Sequence, residues 1–164
     1  MASYSFDVVS EYDKAEINNV FMQAGREIAN RYDFKNTPAG LEWLGDKAGF
    51  TITGNSDMQI EAITDIIRRG LIGRGQSTKV LDLSKEPVTS NLKMVKEIPF
   101  VAGLDSDKAK QVSKAIRDAF PKVKPQIQGD AVRVSSSSKN ELQQVMNKLR
   151  ESEFEFPLSF TNYR

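Results

Sequence analysis

The sequence has 164 residues, of which 39% are hydrophobic and 27% are charged, a composition that suits one large globular domain or two small ones. It contains no cysteine, which excludes disulfides and thiolate metal sites, and no histidine, which removes the usual general base and the commonest transition-metal ligand. The net charge of +1 is divided unevenly, since residues 1–90 hold 10 Lys and Arg against 13 Asp and Glu, whereas residues 91–164 hold 13 against 9. This imbalance predicts a second half that is better suited to an anionic partner.

The first half of the chain predicts the order strand, helix, strand, strand, helix, strand. Tyr4, Phe6 and Val8 alternate with polar residues, as in a half-buried strand. Two helices each begin with a capping signature, at residues 13–16 and 56–59, and each carries an apolar stripe. The stripes are Ile17, Val20, Phe21, Ala24 and Ile28 in the first helix, and Ile60, Ile63, Ile67 and Leu71 in the second. A hairpin is predicted around residues 46–49, and a short strand at 80–83 closes the unit.

The second half repeats this order. Even positions between Leu92 and Phe100 are apolar except for Lys96, which predicts strand structure there. A helix begins at Asp105, and a hairpin turns at residues 129–130. Ser138 and Glu141 form a further capping box. The buried faces of the two helices are predicted to be Ala109, Val112, Ile116 and Phe120, and then Leu142, Val145, Met146 and Leu149. A last strand is predicted at residues 158–161.

Two successive β-α-β-β-α-β units predict an α+β fold of two tandem ferredoxin-like domains, each a four-stranded antiparallel sheet with two helices on one face. We place the first domain at residues 1–88 and the second at residues 92–164, with a short linker at 84–91. An alternative pairs the last strand with the first domain. Because helices cover one side of each sheet, the other faces are solvated, packed on one another or used for binding.

Two segments are candidates for functional sites, but their context favours structural roles. GLIGRGQS, residues 70–77, differs from the phosphate-loop pattern by one residue, since Gln76 stands where a lysine is required. It follows a predicted helix, so we interpret it as a helix end with Gly73 or Gly75 in the left-handed conformation. The four serines at 135–138 are interpreted as a strand end and a helix cap, because no base is visible that would activate a serine nucleophile.

Strand alternation in the second half predicts a row of polar side chains opposite the helices. If Val123, Ile127, Val132 and Val134 point to the core, the outward row is Lys122, Lys124, Gln126, Gln128 and Arg133. Cations and amides on an open sheet suit phosphates and base edges, and RNA-recognition modules bind single strands on such a face. Their aromatic signature is absent here, and a solvated sheet face explains the same pattern.

RYDFK, residues 31–35, places two cations, two rings and a carboxylate at the end of the first predicted helix. Helix termination explains part of the pattern, because Pro38 prevents continuation, Asn36 can adopt a left-handed turn and the rings can cover the core. A ligand would also suit it: a ring stacks on a base, arginine binds phosphate or guanine, and aspartate accepts from a guanine edge. The candidate binding residues are Arg31, Tyr32, Asp33, Phe34 and Lys35.

Several ordered segments resemble the YajQ family of small bacterial nucleotide-binding proteins. They are SFDVVSEYD (5–13), RYDFKNT (31–37), SDMQ (56–59), IQGDAVRVSSSSKNELQQVM (127–146) and FTNYR (160–164). The resemblance implies two ferredoxin-like domains and a cytosolic binding protein for nucleotides or nucleic acid, with cyclic di-GMP proposed as a ligand for some members and no accepted enzymatic activity. Within these segments it also points to Gln128, Gly129, Asp130, Arg133, Asn162 and Arg164.

The sequence-based hypothesis is a cytoplasmic regulatory protein that binds a guanine nucleotide (cyclic di-GMP or GTP) or RNA, without catalytic residues, metal or cofactor. No apolar run approaches the ~18 residues that span a bilayer, so no membrane partner is expected. The expected site residues are Arg31, Tyr32, Asp33, Phe34, Lys35, Gln128, Arg133 and Arg164. One alternative is a protein-interaction module in which nucleotide binding is incidental. Another, ranked last, is an enzyme that uses Asp33, Asp130 and Lys35.

Overall fold

A computed structural model describes residues 3–152 and 154–164, and these residues form two four-stranded antiparallel sheets and four α-helices. The predicted α+β fold class is thereby confirmed. The strands are β1 (Tyr4–Val9), β2 (Gly40–Leu44), β3 (Gly49–Gly54), β4 (Val88–Ser90), β5 (Lys93–Pro99), β6 (Lys124–Gln128), β7 (Ala131–Ser136) and β8 (Ser159–Thr161). The helices are α1 (Lys14–Asn30), α2 (Asp57–Gly73), α3 (Ser106–Ala119) and α4 (Lys139–Glu151). None of these helices is long and apolar enough to cross a membrane.

Each helix begins at the residue that its capping signature predicts. The side chains of Asp13, Ser56, Asp105 and Ser138 accept hydrogen bonds from backbone N–H groups in the first turns of α1, α2, α3 and α4. Such bonds satisfy donors that have no partner inside the helix. The predicted apolar stripes are buried, with partly buried exceptions at Phe21 and Phe120. Capping and periodicity together therefore explain where the four helices lie and which faces they bury.

The chain divides into two compact units that differ from the predicted domains. One, here called the central unit, is the continuous segment Tyr12–Val101; the other, here called the split unit, joins Met1–Glu11 to Ala102–Arg164. The predicted domains at 1–88 and 92–164 separate strands that are hydrogen-bonded to each other. β1 pairs with β7 and β8 in the split unit, and β5 pairs with β3 and β4 in the central unit.

Both sheets keep a ferredoxin-like strand arrangement. The split unit runs β1-α3-β6-β7-α4-β8 and orders its strands β6-β7-β1-β8, with the central unit inserted after β1. In the central unit the order is β2-β3-β5-β4, and β5 takes the place that a first strand would occupy. The final strand pairs with β1, as the alternative for residues 158–161 proposed, but β1 itself belongs to the split unit.

The expected linker at residues 84–91 contains β4 and lies inside the central unit. The strand expected at 80–83 is reduced to one bridge between Leu81 and Phe100, preceded by a turn of 3-10 helix at Thr78–Val80.

Regrouping the chain also changes the charge distribution. By sequence, the split unit holds 11 Lys and Arg against 10 Asp and Glu, and the central unit holds 12 against 12. The predicted charge imbalance is therefore wrong for the units that fold together.

One face of each sheet is covered by helices and buries the core. In the split unit Phe6, Val8, Val132 and Val134 are fully buried beneath α3 and α4. In the central unit Phe50, Ile52 and Ile98 pack beneath α1 and α2. The residues that alternate with them point to the opposite side. This second side, here called the helix-free face, carries the polar rows discussed below.

Candidate functional site

The RYDFK segment of the central unit is organised around a forked ion pair. Arg31 donates from Nε to Asp33 Oδ1 at 2.9 Å and from Nη2 to Oδ2 at 2.8 Å. These hydrogen bonds hold the pKa of the Asp33 carboxyl below its ordinary value. The guanidinium also lies 4.5 Å from the centre of the Phe34 ring. Arg31 and Asp33 thus satisfy each other within the segment.

The two rings of this segment have different positions. Phe34 is only 6% exposed and belongs to the core cluster of the central unit, whereas Tyr32 is 86% exposed in a turn of 3-10 helix. The Lys35 ammonium lies 5.6 Å from the centre of the Tyr32 ring. Asn36 has φ 61°, the left-handed turn predicted for it. Burial leaves Tyr32, and not Phe34, with a ring that a planar ligand can reach.

The helix-free face of the split unit carries the polar row that strand alternation predicted. Lys124, Gln126 and Gln128 on β6 face the same side as Arg133 on β7, because Gln126 pairs with Arg133 and Gln128 with Ala131. The three β6 side chains are exposed, and the Gln128 amide lies 3.5 Å from Gln126 Oε1. Lys122, also exposed, precedes the strand.

A buried carboxylate that the sequence analysis did not single out lies on this face. Asp7 is 6% exposed and sits directly opposite Arg133 in the β1–β7 pairing. Arg133 Nε donates to Asp7 Oδ1 at 3.0 Å, and Asn162 Nδ2 donates to Oδ2 at 2.9 Å. The bond from Arg133, then that from Asn162, holds the pKa of Asp7 below its ordinary value, with a smaller contribution from the charge of Arg164. The signal in the sequence was a charged residue between Phe6 and Val8, at an outward position of a strand.

The Asp7 cluster joins three of the segments that carried the family resemblance. Asp7 comes from SFDVVSEYD, Arg133 from the segment at 127–146 and Asn162 from FTNYR. The chain is held next to it by Arg164 and Ser5, whose backbones exchange hydrogen bonds of 3.0 and 3.2 Å. The structure therefore brings Arg133 and Arg164 towards one carboxylate. Gln128 lies further along the same sheet, at the end of β6.

Comparison with known proteins gives an independent result. A family model described as "Nucleotide-binding protein YajQ-like" matches residues 4–164. A protein of a Nocardioides species, named "Nucleotide-binding protein", is 44% identical over the full length of both chains. Proteins with the same name from Streptomyces avermitilis and Trichormus variabilis are 43% and 40% identical, and at least 99% of each chain is covered. The chain belongs to the YajQ-like family. These relatives are named for binding and not for a reaction.

The expected site residues of this YajQ-like chain fall into two groups. Arg31, Tyr32, Asp33, Phe34 and Lys35 lie in the central unit, and Gln128, Arg133 and Arg164 lie in the split unit. Asp33 and Asp130, which the enzyme alternative combined, belong to different units. Within the described ranges 3–152 and 154–164, no group of three or more His, Cys, Asp or Glu side chains is placed to hold a metal ion.

The segments at residues 70–77 and 135–138, interpreted above as structural, are helix boundaries. Gly75 follows α2 with φ 70°, its N–H bonds the Ile72 carbonyl, and Gln76 N–H bonds the Leu71 carbonyl at 2.8 Å, which is a Schellman motif. At the four serines, β7 ends at Ser136 and Ser138 caps α4. Ser136 Oγ donates to the Glu141 carboxylate at 2.7 Å. Both structural interpretations are confirmed.

Proposed function

We propose that this YajQ-like protein is a cytosolic regulatory module that recognises guanine nucleotides, either free, as GTP or cyclic di-GMP, or within single-stranded RNA. The observation that carries the proposal is the helix-free face of the split unit, where lysine, glutamine and arginine side chains lie side by side on neighbouring strands. The names of its full-length relatives point in the same direction.

The chemistry of this face suits a polyanion that also presents base edges. Lys122 and Lys124 are exposed cations that can neutralise phosphates, and the amides of Gln126 and Gln128 can both donate to and accept from bases. Arg133 is held by Asp7 through Nε, which fixes the guanidinium plane and leaves its Nη donors for a ligand. A donor that is already oriented loses less conformational entropy on binding.

The RYDFK segment offers a second contact surface in the same proposal. Tyr32 presents an exposed ring for stacking, and Lys35 beside it supplies positive charge. Arg31 reaches a phosphate only by giving up or sharing its fork with Asp33. We therefore assign stacking to Tyr32, charge to Lys35 and Arg31, base-edge acceptance to Asp33, and a supporting core role to Phe34.

The test is a titration of the purified protein with GTP, cyclic di-GMP and short guanine-rich RNA at several salt concentrations. Replacing Lys122 and Lys124 together by glutamine is expected to weaken RNA binding several-fold and to lower the salt slope by about two, one for each lost phosphate contact. The matched control replaces Lys110 and Lys114, exposed on α3 of the same unit, and is expected to leave affinity unchanged.

Two results would contradict the proposal. One is that none of these ligands binds below high micromolar concentration at low salt. The other is that the control on α3 weakens RNA binding as much as the change on β6, because binding would then reflect charge alone and not the helix-free face.

A second candidate function, a protein-interaction module, is favoured by the β4–β5 hairpin. β4 lies at the edge of its sheet, and Leu92 at the turn is 92% exposed with φ 68°. An edge strand with unpaired backbone groups and a free apolar side chain can accept an extended segment of another protein. Affinity purification separates the two functions, because a stoichiometric protein partner that survives nuclease treatment and high salt supports this one.

A further inference from the structure

We propose that a pocket on the helix side of the split unit binds a purine mononucleotide, with the base on Tyr163 and the phosphate at Lys139. The inference rests on the proposed function, because it takes nucleotide binding as given and assigns a separate place for a free nucleotide. The pocket has a volume of about 370 Å³ and lies between α4, the start of β1 and the segment after β8. This is within the ~300–1,000 Å³ range of small-molecule sites.

Tyr163 has the properties of a stacking platform. Tyr163 is 61% exposed, yet one side of its ring rests on the buried Phe6 ring, with 6.2 Å between centroids and 29° between planes. Its hydroxyl lies 3.2 Å from Met146 Sδ on α4. A ring that is both exposed and fixed presents a flat apolar surface at little cost in side-chain entropy. Stacking on such a ring stabilises a bound base, whichever base it is.

The charge of the pocket suits an anion. Among the described residues that line it none is acidic, and Lys139 supplies positive charge on the helix side. The Lys139 ammonium lies 5.0 Å from the centre of the Tyr4 ring. The Arg164 backbone is hydrogen-bonded in both directions to Ser5, which places the Arg164 side chain on the side of Asp7. One cation beside an apolar floor of Leu142 and Met146 fits a ligand with one planar ring and one phosphate.

The pocket and the helix-free face are on opposite sides of the same sheet. Tyr4 shares its side of β1 with Phe6 and Val8, whose side chains are buried beneath the helices. Lys124 and Gln126 point to the other side. A mononucleotide in the pocket is therefore expected to bind without displacing RNA from the helix-free face.

The experiment measures GMP and AMP affinity by calorimetry for the full chain and its variants. Tyr163→Leu keeps an apolar contact with Phe6 but removes the ring, and we expect about tenfold weaker binding. Lys139→Gln should weaken binding several-fold and reduce its salt dependence. The matched control is Lys148→Gln, an exposed lysine near the other end of α4, which should not change mononucleotide affinity.

Tyr163→Phe keeps the ring and removes the hydroxyl, so it should retain most of the affinity. If it loses as much as Tyr163→Leu, the contact with Met146 matters and stacking is overturned. Should Tyr163→Leu fail to fold, Tyr163→Phe and Lys139→Gln still decide the question.

The outcomes also separate this inference from the proposed function. GMP binding could be lost in the Lys122 and Lys124 variant and kept in Tyr163→Leu. The mononucleotide would then bind on the helix-free face, which overturns the pocket and keeps the proposed function. If RNA binds but neither GMP nor AMP does, the pocket is likewise overturned and the proposed function is kept. If neither RNA nor any nucleotide binds, both proposals fail.

Discussion

Asp7 is a charged side chain in the middle of a sheet, and its partners account for its position there. Burying a carboxylate costs free energy unless hydrogen bonds or a cation offset the lost hydration. Arg133 provides both, and Asn162 binds the second oxygen. Each partner comes from a different strand or terminal segment, so this one side chain fixes the relative position of β1, β7 and the residues after β8.

The first prediction is a pH-dependent loss of stability in Asp7→Asn. The pKa of Asp7 is lower in the folded chain than its ordinary value of 3.8, so the stabilisation is fully present above that pH and disappears as the pH falls through the folded pKa. At pH 7 the variant should lose about 1.5–3 kcal/mol, the range for hydrogen bonds to charged groups. Urea unfolding at pH 7 and pH 3 checks this, and the difference from wild type should shrink at pH 3.

An Arg133→Gln background provides the control for that prediction. Asp7→Asn should cost less there, because the pair has already been broken. An equal cost in both backgrounds would show that Arg133 is not the source of the stabilisation.

The second prediction concerns Gly49, where β3 and β5 approach closely. A Cβ placed on Gly49 would lie 2.3 Å from the Ile98 carbonyl oxygen and 2.7 Å from Pro99 Cα. Because both are backbone atoms, the strands must separate, and Gly49→Ala should lower the free energy of unfolding by about 1–3 kcal/mol. Gly25→Ala in α1 meets no atom within 4 Å and should raise it by about 0.5–1 kcal/mol. Urea titrations of both variants measure this, and a neutral Gly49→Ala contradicts the argument.

At the scale of single elements, helices were predicted more completely than strands. A helix is completed by residues that are close in the sequence. Asp13 and Ser56 accept hydrogen bonds from backbone N–H groups at most three residues further on, and the apolar stripe from Ile60 to Leu71 lies within one segment. A strand is completed by a partner strand, which can come from a distant part of the chain. Residues 80–83 have the composition of a strand, but Leu81 finds one bridge to Phe100, and the edge position is taken by β4.

The third prediction tests the helix end that resembles a phosphate loop. Gly75 has φ 70°, a conformation that a side chain disfavours, so Gly75→Ala should cost roughly 1 kcal/mol. Gly73→Ala lies inside α2 without a positive φ and should be neutral or slightly stabilising. Thermal unfolding compares the two, and equal effects would show that the Schellman motif contributes little.

At the scale of the whole molecule, the repeat of β-α-β-β-α-β along the chain has two readings. Tandem domains and an insertion of one unit into the other give the same order of elements, and periodicity does not say which strand is a neighbour. The candidate site was likewise predicted only in part. Alternation placed Lys124, Gln126, Gln128 and Arg133 on one face, but Asp7 required the pairing of β1 with β7, which connects residues 126 positions apart.

The fourth prediction follows from the division into units. A fragment of residues 12–101 contains every strand and helix of the central unit and should unfold cooperatively in urea. A fragment of residues 1–88 lacks β5, the interior neighbour of β3, and should not. Circular dichroism during a urea titration distinguishes them. A cooperative transition in 1–88 alone would contradict the assignment of β5 to the central unit.

The insertion also has a consequence for synthesis of the protein on the ribosome. β1 is translated before the inserted segment, yet it lies between β7 and β8, which are translated after that segment. The inserted segment can complete its sheet while translation continues, whereas β1 must wait unpaired until β7 and β8 emerge. Its alternating apolar side chains are exposed during that interval, so this strand is where we expect nascent chains to need protection by a chaperone.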